Sequence, residues 1–236
     1  QKANGSVSMN ALSNETKLKI EKTIKNLKAN KMDAYYCDNK EDACNLVKTL
    51  IKKGDVISSG GSVTLKETGV YDIITSSDYK YLDRAAEGIT PEEVEEVYHK
   101  TFSSDVYFAS SNAITENGEL YNVDGNSNRV AAILYGPKSV ILVCGYNKIV
   151  KNIDEAIDRV KRIAAPSNTI RLNIETPCGK TGKCITADKE GAELCSGCKS
   201  DRRICCNYVV CAQQRHKDRI KVIIIGEKYG YWYTKI

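Results

Sequence analysis

VISSGGSVTLKETG, residues 56–69, begins as an apolar strand, turns through two glycines and goes on in a helical pattern over residues 62–74. Glycines in such a turn let backbone approach a ligand, and the free N–H groups of a helix start favour an anion such as phosphate or carboxylate. Ser58, Ser59, Ser62 and Thr64 add hydroxyl groups around Gly60 and Gly61. The spacing matches neither a P-loop nor the G-x-G-x-x-G of a dinucleotide site. A tight strand–helix turn with no ligand is the bland alternative. Ligand binding is preferred, because open α/β sheets hold their ligands at the carboxyl ends of the strands, where this turn falls.

The same alternation extends in both directions. Leu18, Ile20, Ile24 and Leu27 lie close to helical spacing over residues 14–30, with Ser13 or Asn14 as N-cap. DAYYC (33–37) reads as a strand, and KEDACNLVKTLI (40–51) as an amphipathic helix. TPEEVEEVYHKTF (90–102) carries a capping Thr, a first-turn Pro and early glutamates, so it reads as a helix. DVYFASS (105–111) and SVILVCG (139–145) are continuous apolar runs typical of central strands. NIDEAIDRVKRIAA (152–165) is a predicted helix ending before Pro166, and RIKVIIIG (219–226) a final strand. Short connections between alternating elements predict a single α/β domain, residues 14–236, with a mostly parallel sheet and helices on both faces. Residues 176–211 form a cysteine-rich excursion before the last strand, and residues 1–13 are expected to be a flexible segment.

Composition narrows the function classes. Hydrophobic residues make up 42% of 236 and charged residues 28%, which suits a packed core. Lys plus Arg exceed Asp plus Glu by only 35 to 30, and the basic residues are interspersed with acidic ones. No basic patch with interleaved aromatics marks nucleic-acid binding. No run approaches the roughly 18 apolar residues of a membrane span. QKANGSVSMN lacks the apolar core of a signal peptide, so a cytoplasmic location is expected. In that compartment clustered cysteines point to metal or redox chemistry before structural disulfides.

A second polar stretch, SSNAITENGELYNVDGNSNRVAAILYG (110–136), follows a predicted central strand and should emerge at the same sheet edge. ENG and VDGN read as hairpin turns. Asn112, Glu116, Asn128 and Arg129 exceed what turns need, and Asp124 and Asn122 lie among them. Arg129, near the start of a helix, is placed to hold a carboxylate or phosphate bidentately. Glu67 and Glu116 are the candidate catalytic carboxylates; each also reads as an ordinary cap or ion-pair partner.

The cysteine segment runs Cys178-x5-Cys184-x10-Cys195-x2-Cys198-x6-Cys205, with Cys206 and Cys211 after it. A C-x2-C pair with flanking cysteines suits zinc or an iron–sulfur cluster. Buried free thiols and a disulfide or redox pair are the competing readings. A cysteine pair among Lys180, Lys183, Lys199, Arg202 and Arg203 is expected to have lowered pKa values, which suits both metal ligation and reactivity.

SSGGSVTLKETG, the long 110–150 stretch and RIAAPSNTIRLNIETPCGKTGKC…CKSDRRIC together resemble the lactate utilisation (LUD) domain family, over residues 14–226. That family includes lactate utilisation protein C and stand-alone bacterial members. The resemblance implies a fold similar to the ribose-5-phosphate isomerase, glucosamine-6-phosphate deaminase and coenzyme-A transferase superfamily. By loop position it implies a ligand cradled by Ser58, Ser59, Gly60, Gly61, Ser62 and Thr64 and closed in by Asn112, Asp124, Asn128 and Arg129. It further implies a part in oxidising L-lactate to pyruvate with iron–sulfur partner proteins. It assigns this chain no reaction. An assembly or regulatory subunit with a metal-stapled docking segment is the alternative, and a sugar-phosphate isomerase or CoA-transferase-like enzyme a weaker one. Related members resemble this one with a shorter cysteine spacing, so Cys178, Cys198 and Cys205 are joined by either Cys184 or Cys195 as metal ligands.

Overall fold

The computed structural model describes residues 12–189 and 194–232. The expected flexible segment falls largely on residues 1–11, outside the described residues. Six strands form one parallel sheet: β1 (Asp33–Cys37), β2 (Val56–Ser59), β3 (Lys80–Tyr81), β4 (Val106–Ala109), β7 (Ser139–Gly145) and β10 (Ile220–Ile225). Their order is β1-β10-β7-β4-β2-β3, every pair parallel. Strand alternation divides the core in two. Val140, Leu142 and Cys144 of β7 pack on the face that buries Ile20 and Leu27 of α1 (Asn14–Ala29). Ile141 and Val143 pack on the other, against Ala43 and Val47 of α2 (Lys40–Leu50) and Leu65 of α3 (Val63–Glu67). Both faces are therefore covered by helices, as the sequence predicts.

The helix expected over residues 62–74 is instead two single turns, α3 and α4 (Val70–Ile74). Gly69 between them adopts φ +80°, a left-handed conformation that ends a right-handed helix. The helix expected to stop before Pro166 continues. After α5 (Pro91–Thr101) and α6 (Asn128–Leu134), α7 (Ile153–Arg159) widens into a π-helical turn (Val160–Ala164) and runs on as α8 (Ala165–Arg171). Ala165 N–H reaches back to Val160 O, five residues away. This wider register absorbs the N–H that Pro166 lacks, and the axis continues.

A second, four-stranded sheet was not expected as a sheet. Its order is β8-β5-β6-β9, from β8 (Ile149–Val150), β5 (Ala113–Thr115), β6 (Leu120–Asp124) and β9 (Asn207–Cys211). The β5–β6 pair is the hairpin anticipated around ENG. β9 pairs antiparallel with β6 from Asp124↔Asn207 to Leu120↔Cys211, so the cysteine-rich segment, which includes α9 (Pro177–Thr181), is tied back into the domain at its end.

Candidate functional site

β2, β4 and β7 are neighbours, so the loops at their carboxyl ends converge. They open on a cavity of about 390 Å³. Gly61, Ser62 and Thr64 come from the loop after β2, Ser110 and Asn112 from that after β4, and Lys148 from the single 3₁₀ turn after β7. α8 supplies Asn168 and Arg171, and Tyr231 closes one side.

Lys148 is the centre of this arrangement. It is 7% exposed, and its Nζ donates to Ser110 Oγ at 2.7 Å and Thr64 Oγ1 at 3.1 Å. Both partners are neutral hydroxyls. Burial pushes the ammonium down to about 8, helped by repulsion from Arg159 and Arg129. The C-terminal segment lies over it. Gly230 adopts φ +70°, and a Cβ there would stand 2.7 Å from Thr64 Oγ1 and 3.2 Å from Lys148 Nζ. Only a glycine lets the chain pass so close to the amine.

Arg129 lines the cavity, but its guanidinium is committed inward. Nε donates to Asp124 Oδ1 at 2.9 Å, Nη1 to Ser110 O and Asn122 Oδ1, and Nη2 to Asn112 Oδ1 and Val123 O. Asp124 Oδ2 accepts from Val130 N at 2.8 Å. Asn112 and Asn122 are crosslinked in turn, through Asn112 N to Asn122 Oδ1 and Val123 N to Asn112 Oδ1. Arg129 thus rivets together the loop that forms this wall of the cavity. Arg84 differs: it makes a cation–π contact over Tyr98, with no hydrogen bond or ion pair to the described residues, and it lines the cavity beside Gly61.

The other candidates divide. Gly61, Ser62, Thr64, Asn112, Asp124, Asn128 and Arg129 line the cavity together. Gly60 packs behind it, where a Cβ would meet Tyr107 Oη at 2.9 Å and Arg129 Cδ at 3.1 Å. Ser58 Oγ is hydrogen-bonded to Thr101 Oγ1, and Ser59 Oγ to Tyr81 Oη, both at 2.7 Å and both outside the cavity wall. Ser62 caps α3, accepting from Leu65 N. Glu67 and Glu116 are not brought together. Glu67 Oε2 accepts from Gly230 N at 2.6 Å and so fastens the segment over Lys148. Glu116 pairs with Lys22 of α1 at 3.0 Å. Neither lines the cavity. Lys148, Ser110 and Arg84 escaped the sequence reading. The available signal for Lys148 was its place three residues beyond the apolar run SVILVCG, at the same sheet edge as the glycine turn.

Four of the five candidate metal ligands, Cys178, Cys184, Cys198 and Cys205, line a second, smaller cavity of about 30 Å³. Cys195 is exposed and does not line it. Burial pushes the Cys205 thiol up to about 12. Lys183 turns instead to Asp188, and Arg203 spends its donors on the carbonyls of Cys195, Cys198 and Cys205. Among the described residues no three His, Cys, Asp or Glu side chains are grouped to hold a metal ion as they stand.

A parallel α/β sheet with a cationic cavity at the carboxyl ends of its strands is the class this architecture defines. The chain belongs to the LUD domain family, whose family model matches residues 20–225. No curated protein matches it. Among solved structures it is similar to a DUF162 family protein from Deinococcus radiodurans, at 13% identity, covering 91% of this chain and 99% of that one, with a TM-score of 0.45. It is also similar to eIF2B beta from Chaetomium thermophilum, at 18% identity, covering 49% of this chain and 41% of that one, with a TM-score of 0.32. No described helix is long and apolar enough to cross a membrane.

Proposed function

We propose that the cavity binds a small anionic ligand, a carboxylate or a phosphate, with Lys148 as its buried counter-charge and Arg84 as a second cation at the rim. The observation that carries this is Lys148, a buried amine whose hydrogen-bond partners are the hydroxyls of Ser110 and Thr64. A buried cation costs free energy unless something compensates its charge, and a bound anion would do so. The volume of about 390 Å³ falls in the range of small-molecule sites, roughly 300–1,000 Å³. Membership of the LUD domain family supports a role related to lactate utilisation. Oxidation of L-lactate to pyruvate with iron–sulfur partner proteins is the finer reading, and lactate or pyruvate is then the first ligand to try.

The lining favours binding and charge stabilisation over carboxylate acid–base chemistry. Asp124 is the one carboxylate among the described lining residues, and both its oxygens are engaged. The Lys148 amine, held at about 8, is the group there poised to exchange a proton near neutral pH. A thermal-shift series with lactate, pyruvate, inorganic phosphate and small phosphosugars tests the reading. Wild type should gain stability with at least one of them, and Lys148→Met should lose that response. The same response in both proteins, or none in either, would sink it.

A further inference from the structure

The cavity beside the ligand site gathers thiols from separate stretches of chain. Cys178 sits in the single turn α9, Cys184 follows it, and Cys198 and Cys205 flank the loop that leads into β9. Cys205 lies within electrostatic reach of Cys178, Cys184 and Cys198. Arg203 gathers the loop by donating to Cys198 O at 2.8 Å and Cys205 O at 2.7 Å. Hydroxyl groups stand against the sulfurs: Thr176 Oγ1 is 3.3 Å from Cys178 Sγ, and Thr186 Oγ1 is 3.4 Å from Cys184 Sγ. The π-helical turn brings Lys161 to the same cavity, where its Nζ donates to Thr186 Oγ1 and Ser196 Oγ.

We propose that Cys178, Cys184, Cys198 and Cys205 form a four-thiolate site for a soft metal centre, a single zinc ion by size. The donor set is all sulfur, which selects zinc or an iron–sulfur cluster over hard cations. All four cysteines line this one small cavity, and binding a common ion requires their side chains to close on it. Binding replaces four S–H bonds with four metal–sulfur bonds and releases the protons to solvent. Four thiolates around a divalent ion leave two negative charges, and Lys161 and Arg203 bring two positive ones to the cavity wall. A cavity of about 30 Å³ holds roughly one water-sized occupant, which suits one ion and crowds an eight-atom cubane. Cys195, exposed and outside the cavity, is excluded, so Cys184 takes the second position. The site also braces the anion cavity, because Val160, Ala165, Ile204 and Cys205 line both.

The test is elemental analysis, acid-labile sulfide and X-ray absorption on the full chain purified without oxygen. None of these readouts needs the anion ligand, so the two proposals fail separately. About one zinc per chain in sulfur-only coordination near 2.3 Å is the expected result. Cys178→Ser, Cys184→Ser, Cys198→Ser and Cys205→Ser should each lose most of it. Cys195→Ser and Cys206→Ser should keep it, and circular dichroism shows which variants remain folded. Iron with inorganic sulfide would uphold the four ligands and overturn zinc as their occupant. Metal lost on Cys195→Ser but kept on Cys184→Ser would overturn the ligand set. A metal-free chain, or a disulfide among the four, would overturn the site altogether.

Discussion

Two cationic side chains in one cavity do opposite work. Arg129 is 13% exposed with Asp124 at 12%, and it satisfies oxygens on Ser110, Asn112, Asn122 and Val123 as well. Arg129→Ala strands those acceptors and leaves Asp124 without its cation. It should lower unfolding stability by about 3 kcal/mol or more in chemical denaturation; a loss under 1 kcal/mol would mean the network is slack. Lys148 is the converse, a charge held against its own solvation. Lys148→Met should leave the ligand-free protein as stable or more stable, by about 1–3 kcal/mol at neutral pH. Its folded-state pKa of about 8 lies below the ordinary 10.5. Below pH 8 the amine is charged in both states and the desolvation cost is full. From 8 to 10.5 the unfolded chain binds more protons, so wild-type stability gains with rising pH. The advantage of Lys148→Met should shrink across that window, and an advantage that grows there would contradict the assignment. Arg129 stood out in the sequence because surplus polar groups crowd around it, and it does line the cavity. Its inward commitment was not legible, since hydrogen-bond direction is decided by loops that meet only in the fold. Lys148 was hidden by its neighbours, because a lone lysine after a strand reads as a solvated end.

At the scale of elements, local signals were the legible ones. Thr90 accepts from Glu93 N, and Glu93 Oε2 accepts from Thr90 N, the reciprocal box that the sequence announces at the start of α5. Thr90→Ala should cost about 1 kcal/mol, measured by denaturant midpoint, while leaving ligand response unchanged. SVILVCG became β7 residue for residue, because an uninterrupted apolar run can satisfy both buried faces of a central strand. The departures fall where a local rule was overridden. Pro166 should have stopped a helix, and a π-helical turn just before it let the helix continue as α8. That same turn aims Lys161 at the thiol cavity and Val160 and Ala164 at the larger one. The helix that ought to have ended thus builds the partition between the two cavities.

For the molecule as a whole, the alternation of strands and helices was enough to give a parallel sheet with both faces covered. The second sheet was not readable, because β6 finds β9 across more than eighty residues and β9 alone is five residues long. Convergence of the β2, β4 and β7 loops follows from strand order, a non-local property, and it is what turns scattered polar residues into one cavity. An anion site governed by Lys148 would make the cavity's affinity follow the charge of that amine. Calorimetric titration of wild type with the best anion from the thermal-shift series, at pH 7 and at pH 9.5, tests it most directly. An anion favours the charged amine, so binding should take up protons near pH 8, and affinity should fall as pH rises through that value. Affinity that is level from pH 7 to 9.5, with no proton uptake, would contradict it.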